Sequence, residues 1–481
     1  MIDKMRRREF VSSTLATATA MSAGKAGFAQ NLDEPVQQPN VIWLLADQHR
    51  AQALATNGDP NARTPNLDRM AASGVNFAGA VSGMPLCCPF RGSLLTGKYP
   101  HECVPGHEYP LPEGQPTLTE PLKAAGYQTA WFGKWHLGGF HERDGRAAKF
   151  IVPPKLRGGF DKWVGYENNN SQWDCWVHGG EGKDAFLERL PGYETDALTD
   201  LLVRYIREQG ELQKQNKAKP FFACLSVQPP HDPYVAPADY MSRYNPMQLQ
   251  LRGNVPRGGA IETQARRELA GYYAMIENWD YNIGRIRAAL AETGISFRTH
   301  LMAFSDHGDM HGSHGMFRKM TIHEESIRIP MILSGEQPVY DGRVTGRPTF
   351  PFSQVDIAPT TLGLCGVKKP AWMRGTDYAP YRFANAAARP AAADSAFLQS
   401  VVPTGHGHSV NKPWRGLVTS DGWKYACFEG VSWSLFNLNE DPLEQANLAH
   451  NNVYRAVRKR LLGRLKEWIA STGDQFSLPE D

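Results

Sequence analysis

Beyond its first 29 residues the chain has no run of 18 or more apolar residues, the length a helix needs to cross a bilayer, so no integral membrane protein is expected. Cysteine is scarce. The seven cysteines in 481 residues are odd in number and scattered, at 87, 88, 103, 175, 224, 365 and 427, which sets aside the dense, even framework of a disulfide-stapled domain. An excess of charge is missing as well. Lysine and arginine number 52 against 49 for aspartate and glutamate, and positions 1–29, with five basic and two acidic residues, hold the whole surplus. Nothing in that balance steers the chain to nucleic acid. No internal repeat is visible, and hydrophobic and charged contents of 41% and 21% are those of an ordinary globular enzyme.

What is present starts at the amino terminus. Arg7, Arg8 and Phe10, a weakly apolar stretch and small residues near Ala29 fit a twin-arginine export signal. Residues 1–29 are read as a signal peptide handled by the twin-arginine (Tat) export machinery, and the mature protein as periplasmic or secreted. Residues 30–370 are read as a catalytic domain and 371–481 as a smaller one, because the texture changes near Pro370 to the Ala- and Pro-rich ANAAARPAAADSA.

Short apolar runs at 39–46, 127–132, 221–227, 299–305 and 330–334 have the composition of strands buried on both faces. Between them helices are expected from Thr64, as cap, to Gly74, and over 117–125, 193–207 and 262–290. This alternation predicts an α/β fold with a large mixed, mainly parallel central sheet flanked by helices. The smaller domain is expected to be α+β, with antiparallel strands at 415–419, 424–428 and 434–437 and a packed helix at 453–471. Asp47, Gln48, Lys134, His136, His231, Asp306 and His307 all come shortly after an apolar strand. The carboxyl ends of strands in an open α/β sheet form a ligand crevice, so groups about 260 positions apart can converge there.

The stretch LCCPFRGSLLTG, 86–97, reads as a short helix opened by Pro89 and closed by Gly97, with Cys87 at its N-terminus. Free N–H groups and the helix dipole favour an anion at that end, and Arg91 turns back toward it. A zinc site drawn from Cys87, Cys88, His101, Cys103 and His107 is an alternative use of these residues, although their spacings fit no common zinc pattern. Asp47, Gln48, Asp306 and His307 suit a hard divalent cation such as Ca²⁺ or Mg²⁺, with His307 pulling toward Mn²⁺. Lys134, His136, His231 and Lys319 supply cations and acid–base groups, together a cage for a tetrahedral dianion.

These strings resemble the type I sulfatases, the formylglycine-dependent members of the alkaline phosphatase superfamily. Cys87 to Gly97 is similar to their signature C-x-P-S-R-x-x-x-L-T-G, with Phe90 in place of the serine. ADQHR (46–50), GKWHLG (133–138), PPHDPY (229–234), SDHGDMHGSHGMFRKM (305–320) and WSLFNLNEDPLEQANL (433–448) extend the likeness through most of the chain. The resemblance implies that a formylglycine-generating enzyme oxidises Cys87 to formylglycine. It implies one divalent metal ion, Ca²⁺ first with Mn²⁺ or Mg²⁺ as alternatives, held by Asp47, Gln48, residue 87, Asp306 and His307. It also implies catalysis by Cys87, Arg91, Lys134, His136, His231 and Lys319. In that scheme a hydroxyl of the gem-diol at 87 attacks sulfur, Lys134 and Lys319 neutralise the sulfate oxygens, His231 protonates the departing alcohol, and His136 takes the proton that expels sulfate.

The function so implied is a sulfuric ester hydrolase that releases inorganic sulfate. Gln48 and His307 stand where Asp and Asn are more frequent, a pattern also found in choline sulfatases and in phosphonate monoester hydrolases of the superfamily. A phosphonate or phosphate ester hydrolase is therefore an alternative, weakened because those enzymes tend to lose the Lys and His of GKWHLG that this chain keeps. An inactive secreted sugar-binding protein is the alternative of another class. The amides and aromatics of NNNSQWDCW, 168–176, suit hydrogen bonding to and stacking on a sugar, and His406 and His408 are weaker candidates for the same pocket. A sulfated mono- or oligosaccharide is the expected substrate.

Overall fold

Val41, Trp43 and Leu45 of the strand Asn40–Ala46 pack on one side and Ile42, Leu44 and Ala46 on the other, and all six are buried. A strand apolar on both sides belongs inside a sheet covered by helices on each face. The computed structural model describes residues 38–335, 344–383, 385–405, 407 and 409–480. The expected leader at 1–29, and His406 and His408, lie outside the described residues.

Among the described residues nine strands form the main sheet. Their order is Val75–Asn76, Met331–Gly335, Thr299–Ser305, Asn40–Ala46, Phe221–Ser226, Gln128–Lys134, Lys162–Tyr166, Trp176–Gly179 and Phe186–Arg189. The central five, from Thr299–Ser305 to Lys162–Tyr166, run parallel, and antiparallel strands flank them at both edges. The helices Cys87–Thr96 and Ile357–Leu364 cover one face; Pro65–Ala72, Glu194–Lys214 and Ala260–Glu292 cover the other.

Ile357–Leu364 goes beyond the sequence expectation; the expected helices agree with the apolar periodicity, with two differences. The helix expected at 193–207 runs on to Lys214 through a polar stretch. Thr64 makes no side-chain capping bond at Pro65–Ala72. The Asp280 carboxylate takes that place from the long helix, accepting the backbone N–H of Asn66 and, at 2.8 Å, of Leu67. The strands at 162–166, 176–179 and 186–189 go beyond the sequence expectation. They are short, and every residue of the last is exposed, so no apolar run marks them.

Among the described residues a second sheet of four strands forms an antiparallel meander, Ser395–Ser400, Trp414–Thr419, Trp423–Phe428 and Val431–Asn437. Its first strand, buried throughout, follows directly on the Ala- and Pro-rich stretch that masks it in sequence. The helix Arg455–Thr472 lays Leu461 and Leu465 against Leu417, Tyr425 and Leu435 of the meander. Among the described residues no helix is long and apolar enough to cross a membrane.

A buried cation ties the meander to the loop after Thr299–Ser305. Lys424, wholly buried, donates to the Ile322 carbonyl at 2.9 Å and pairs with Glu444 at 2.6 Å and Glu324 at 2.7 Å. Lys424→Met leaves the enclosed Glu444 carboxylate without its cation. The expected cost is about 3–5 kcal/mol of stability, read as a lowered urea midpoint at unchanged slope.

Candidate active site

The register of the sheet sets its carboxyl ends level: Ala46 pairs with Ser305, and Ser226 with both Leu45 and Gly133. Asp47, Asp306 and Lys134 therefore leave the sheet close together. Glycine is required at 133, where φ is +100° and a Cβ would lie 2.0 Å from the Ser226 carbonyl oxygen. The N-terminus of helix Cys87–Thr96 faces these ends, with Cys87 in its first turn and Arg91 one turn on. Gln48 and His136, just past their strands, have φ of +69° and +57°. Such left-handed backbone is uncommon for these side chains and gathers at functional sites.

Cys87 Sγ lies 3.2 Å from His307 Nε2, 3.6 Å from Asp47 Oδ1, 3.5 Å from Lys319 Nζ and 4.0 Å from Lys134 Nζ. The buried Arg91 bridges both carboxylates, its Nη2 donating to Asp47 Oδ2 at 3.1 Å and Asp306 Oδ2 at 3.3 Å. Lys134 Nζ reaches Asp47 Oδ2 at 2.8 Å. Each carboxylate thus has Oδ2 held by a cation, while both Oδ1 atoms lie 3.6 Å from His307 Nε2. His307 Nδ1 is 3.0 Å from the Gly308 carbonyl, to which it can only donate, so Nε2 turns its lone pair toward Cys87 and the carboxylates.

Lys319 Nζ donates to Gln48 Oε1 at 2.8 Å and stands 3.0 Å from His231 Nε2. His231 Nδ1 donates to the Asp232 carbonyl at 2.7 Å, which leaves Nε2 to accept. His136 is buried, and neither of its ring nitrogens is hydrogen-bonded among the described residues. Gln48, expected among the metal ligands, has both ends of its amide engaged elsewhere, the oxygen by Lys319 and the nitrogen by Asp309 at 2.6 Å. The zinc set drawn from the cysteines is broken up. His101 is bonded to Gln399 and the Thr472 carbonyl, and Cys103 donates to the Tyr99 carbonyl.

A family model described as Sulfatase matches residues 39–367, well over half of the chain. The chain belongs to the sulfatase family. A second model, for the C-terminal part of N-sulphoglucosamine sulphohydrolase, matches residues 312–471. The chain is 33% identical over 470 residues to the ulvan-active sulfatase of Formosa agariphila, which covers 94% of this chain and 85% of that protein. It is 25% identical over 535 residues to the N-acetylglucosamine-6-O-sulfatase of Bacteroides thetaiotaomicron, covering 95% and 90%. The crystal structure of yidJ from Bacteroides fragilis superposes with a TM-score of 0.79 at 27% identity, over 93% of this chain and 98% of that one. The mixed sheet between two helical layers, with its added meander, is the alkaline phosphatase-like fold of these sulfatases.

In this sulfatase the enclosed charges hold one another in place. Burial works to raise the Asp47 carboxyl, but the cations Lys134 and Lys319 beside it outweigh it and keep it well below the usual carboxylate range. Burial and the neighbouring Asp47 push Asp306 upward against Arg91. Burial, then Lys319, lowers His231 to about 4, and burial with Lys134 carries His136 well below its ordinary value, so both are neutral near pH 7. The Cys87 thiol is raised to about 12, first by burial and then by Asp47.

The donor set fits a hard divalent cation. One ligand atom each from Asp47, Cys87, Asp306 and His307 lie within 4.8 Å of one another, two of them carboxylate oxygens and one an imidazole nitrogen that turns its lone pair toward the group. The neutral thiol is the odd member.

Asp309 is a site residue that the sequence reading passed over. Its buried carboxylate accepts from Gln48 Nε2, from the Tyr234 hydroxyl at 2.5 Å and from the backbone N–H of His311 and Arg318, and so fixes the amide that faces Lys319. Its place three residues after Asp306 was the available signal. The loop 168–172 is tied to the His231 segment, with Gln172 Nε2 donating to the His231 carbonyl and Gln228 Nε2 to Asn170. Trp173 stands 46% exposed, whereas Trp176 packs under Lys149.

Proposed function

We propose that this sulfatase releases inorganic sulfate from sulfated carbohydrates, using residue 87 oxidised to formylglycine and one divalent cation, calcium first. The observation that carries the reading is the setting of position 87, a helix N-terminus enclosed by two carboxylates, an imidazole and the cations Lys134 and Lys319. An unmodified thiol raised to about 12 in that setting is a poor nucleophile and a poor ligand for a hard ion. Oxidation replaces it with oxygen. Hydrated formylglycine would supply a hydroxyl nucleophile and a second hydroxyl whose loss of a proton, as the carbon–oxygen bond to sulfate breaks, regenerates the aldehyde and frees sulfate. The cation, held by Asp47, Asp306, His307 and residue 87, supplies Lewis-acid charge when bound.

The remaining steps belong to the chain's own side chains. Arg91 stays protonated and keeps both carboxylates oriented. Lys134 and Lys319 put ammonium charge where the sulfate oxygens gain charge in the transition state. The ammonium groups of Lys134 and Lys319, both within 4.0 Å of the sulfur at residue 87, favour an anionic ester there. His231 accepts from Lys319, so this pair delivers a proton to the departing alcohol once the substrate's negative charge favours the imidazolium. His136, neutral and buried, serves as base for the second hydroxyl.

His231→Asn is expected to lower kcat for a sugar sulfate by about 10²–10⁴-fold. Turnover of an aryl sulfate, whose acidic phenol leaves without help, should fall far less. Equal losses on the two substrates would remove the proton-donor role.

Carbohydrate is supported by the relatives that act on ulvan and on N-acetylglucosamine 6-sulfate. It is also supported by a cleft of about 380 Å³ lined by Glu142, Arg146, Asn168, Asn170 and Asp174. The deciding experiment assays purified, matured enzyme on sulfated mono- and oligosaccharides beside aryl sulfate, choline sulfate and aryl phosphonate. Faster phosphonate turnover overturns the sulfatase reading, and activity confined to aryl or choline esters overturns the carbohydrate. Mass analysis of the peptide across residues 86–91 tests the oxidation. Export by the twin-arginine route with loss of residues 1–29 belongs to the same proposal, and amino-terminal sequencing of the secreted protein tests it.

A further inference from the structure

Beside the catalytic cluster lies a second group of ligating side chains. Cys88 Sγ and one imidazole nitrogen each of His107 and His136 lie within 4.8 Å of one another. Cys88 and His136 are 0% and 2% exposed, and both His136 nitrogens are without hydrogen bonds among the described residues. Glu108 backs the group twice: its N–H donates to Cys88 Sγ at 3.3 Å, and its Oε1 lies 3.7 Å from His107 Nε2. Outer residues support bound metals in this way, with a donor to the thiolate and a carboxylate behind the imidazole.

The chemistry differs from that of the first cluster. A thiolate with two imidazoles prefers a borderline-soft ion, zinc before calcium or magnesium, and three protein ligands leave the fourth tetrahedral corner open. Bonds of about 2.0–2.3 Å place tetrahedral ligands about 3.3–3.8 Å apart, so the three side chains need draw in by about an ångström. The Cys88 thiol gives its proton to solvent as the Zn–S bond forms.

We propose that Cys88, His107 and His136 form a zinc site, distinct from the hard-cation site, whose occupation withdraws His136 and inhibits the enzyme. The binding half stands apart from the reaction scheme above; the inhibition half rests on the role given there to His136. The test uses matured, calcium-loaded enzyme titrated with zinc by calorimetry and with Co²⁺ by absorption.

The wild type is expected to bind one zinc that excess calcium does not displace, to give a thiolate-to-cobalt charge-transfer band, and to lose activity as zinc fills the site. Cys88→Ala and His107→Gln, neither in the catalytic scheme, are expected to keep basal activity and, since each removes a direct ligand, to weaken zinc by more than the roughly 100-fold that losing an outer residue costs. Cys88→Ala also loses the cobalt band. No zinc bound by the wild type, or equal binding by all three proteins, overturns the site. Inhibition that calcium relieves equally in all three assigns zinc to the hard-cation site and overturns it too. Full activity in zinc-loaded wild type, with binding lost in the variants, overturns the inhibition alone. Should Cys88→Ala fail to fold, the partly exposed His107→Gln carries the same comparison.

Discussion

Cys87→Ala is expected to lower kcat/KM for a sulfate ester by about 10⁵–10⁶-fold, the scale of losing an enzymatic nucleophile. Folding should change little, because the deleted sulfur sits 3.2–4.0 Å from polar partners that keep their own bonds to one another. The cage of Arg91, Lys134 and Lys319 survives, so an unreacted ester still binds, and the loss falls on kcat rather than KM. Cys87→Ser gives the sharper result. A serine hydroxyl can attack sulfur once but carries no second hydroxyl on the same carbon, so at most one turnover per chain is expected, ending in a sulfated residue 87 visible by mass. Sustained turnover by the serine variant would refute the two-hydroxyl scheme.

Asp47→Asn is expected to remove activity and to cost about 3–5 kcal/mol of stability, because it strips the anion from between two buried cations. Its Oδ2 is the oxygen Arg91 and Lys134 share, and its Oδ1 belongs to the group proposed to hold the metal. Metal content, read by elemental analysis, should fall together with activity. If the penalty comes from uncompensated charge, adding Lys134→Met to Asp47→Asn should recover part of the stability while activity stays lost. A double variant less stable than Asp47→Asn would show that Lys134 contributes through packing instead.

The strands that bear the site were legible because each carries an unbroken apolar run of four to six residues that faces both sides of the sheet, as Asn40–Ala46, Phe221–Ser226 and Thr299–Ser305 do. Helix Cys87–Thr96 was legible because Pro89 falls in its first turn and Gly97 closes it, although it starts two residues before the proline expected to open it. Pairings across the sequence were not. Asp280 caps a helix more than 200 residues away, and Asp309 meets Gln48 and Tyr234 through the fold alone. No local pattern records such meetings. The strands at 162–189 stayed hidden for another reason: being short and partly or wholly exposed, they never develop the apolar contrast from which a strand is read.

Lys424 grips the Ile322 carbonyl three residues from Lys319, and Val410 N–H reaches the Met320 carbonyl at 3.4 Å. The position of one active-site ammonium is therefore underwritten by a part of the chain about a hundred residues downstream. Hybrids that join the front half of this protein to the rear half of a relative inherit that dependence. Such chimeras should work when the incoming segment brings its own lysine and glutamate to meet Glu324, and should misplace the ammonium when it does not.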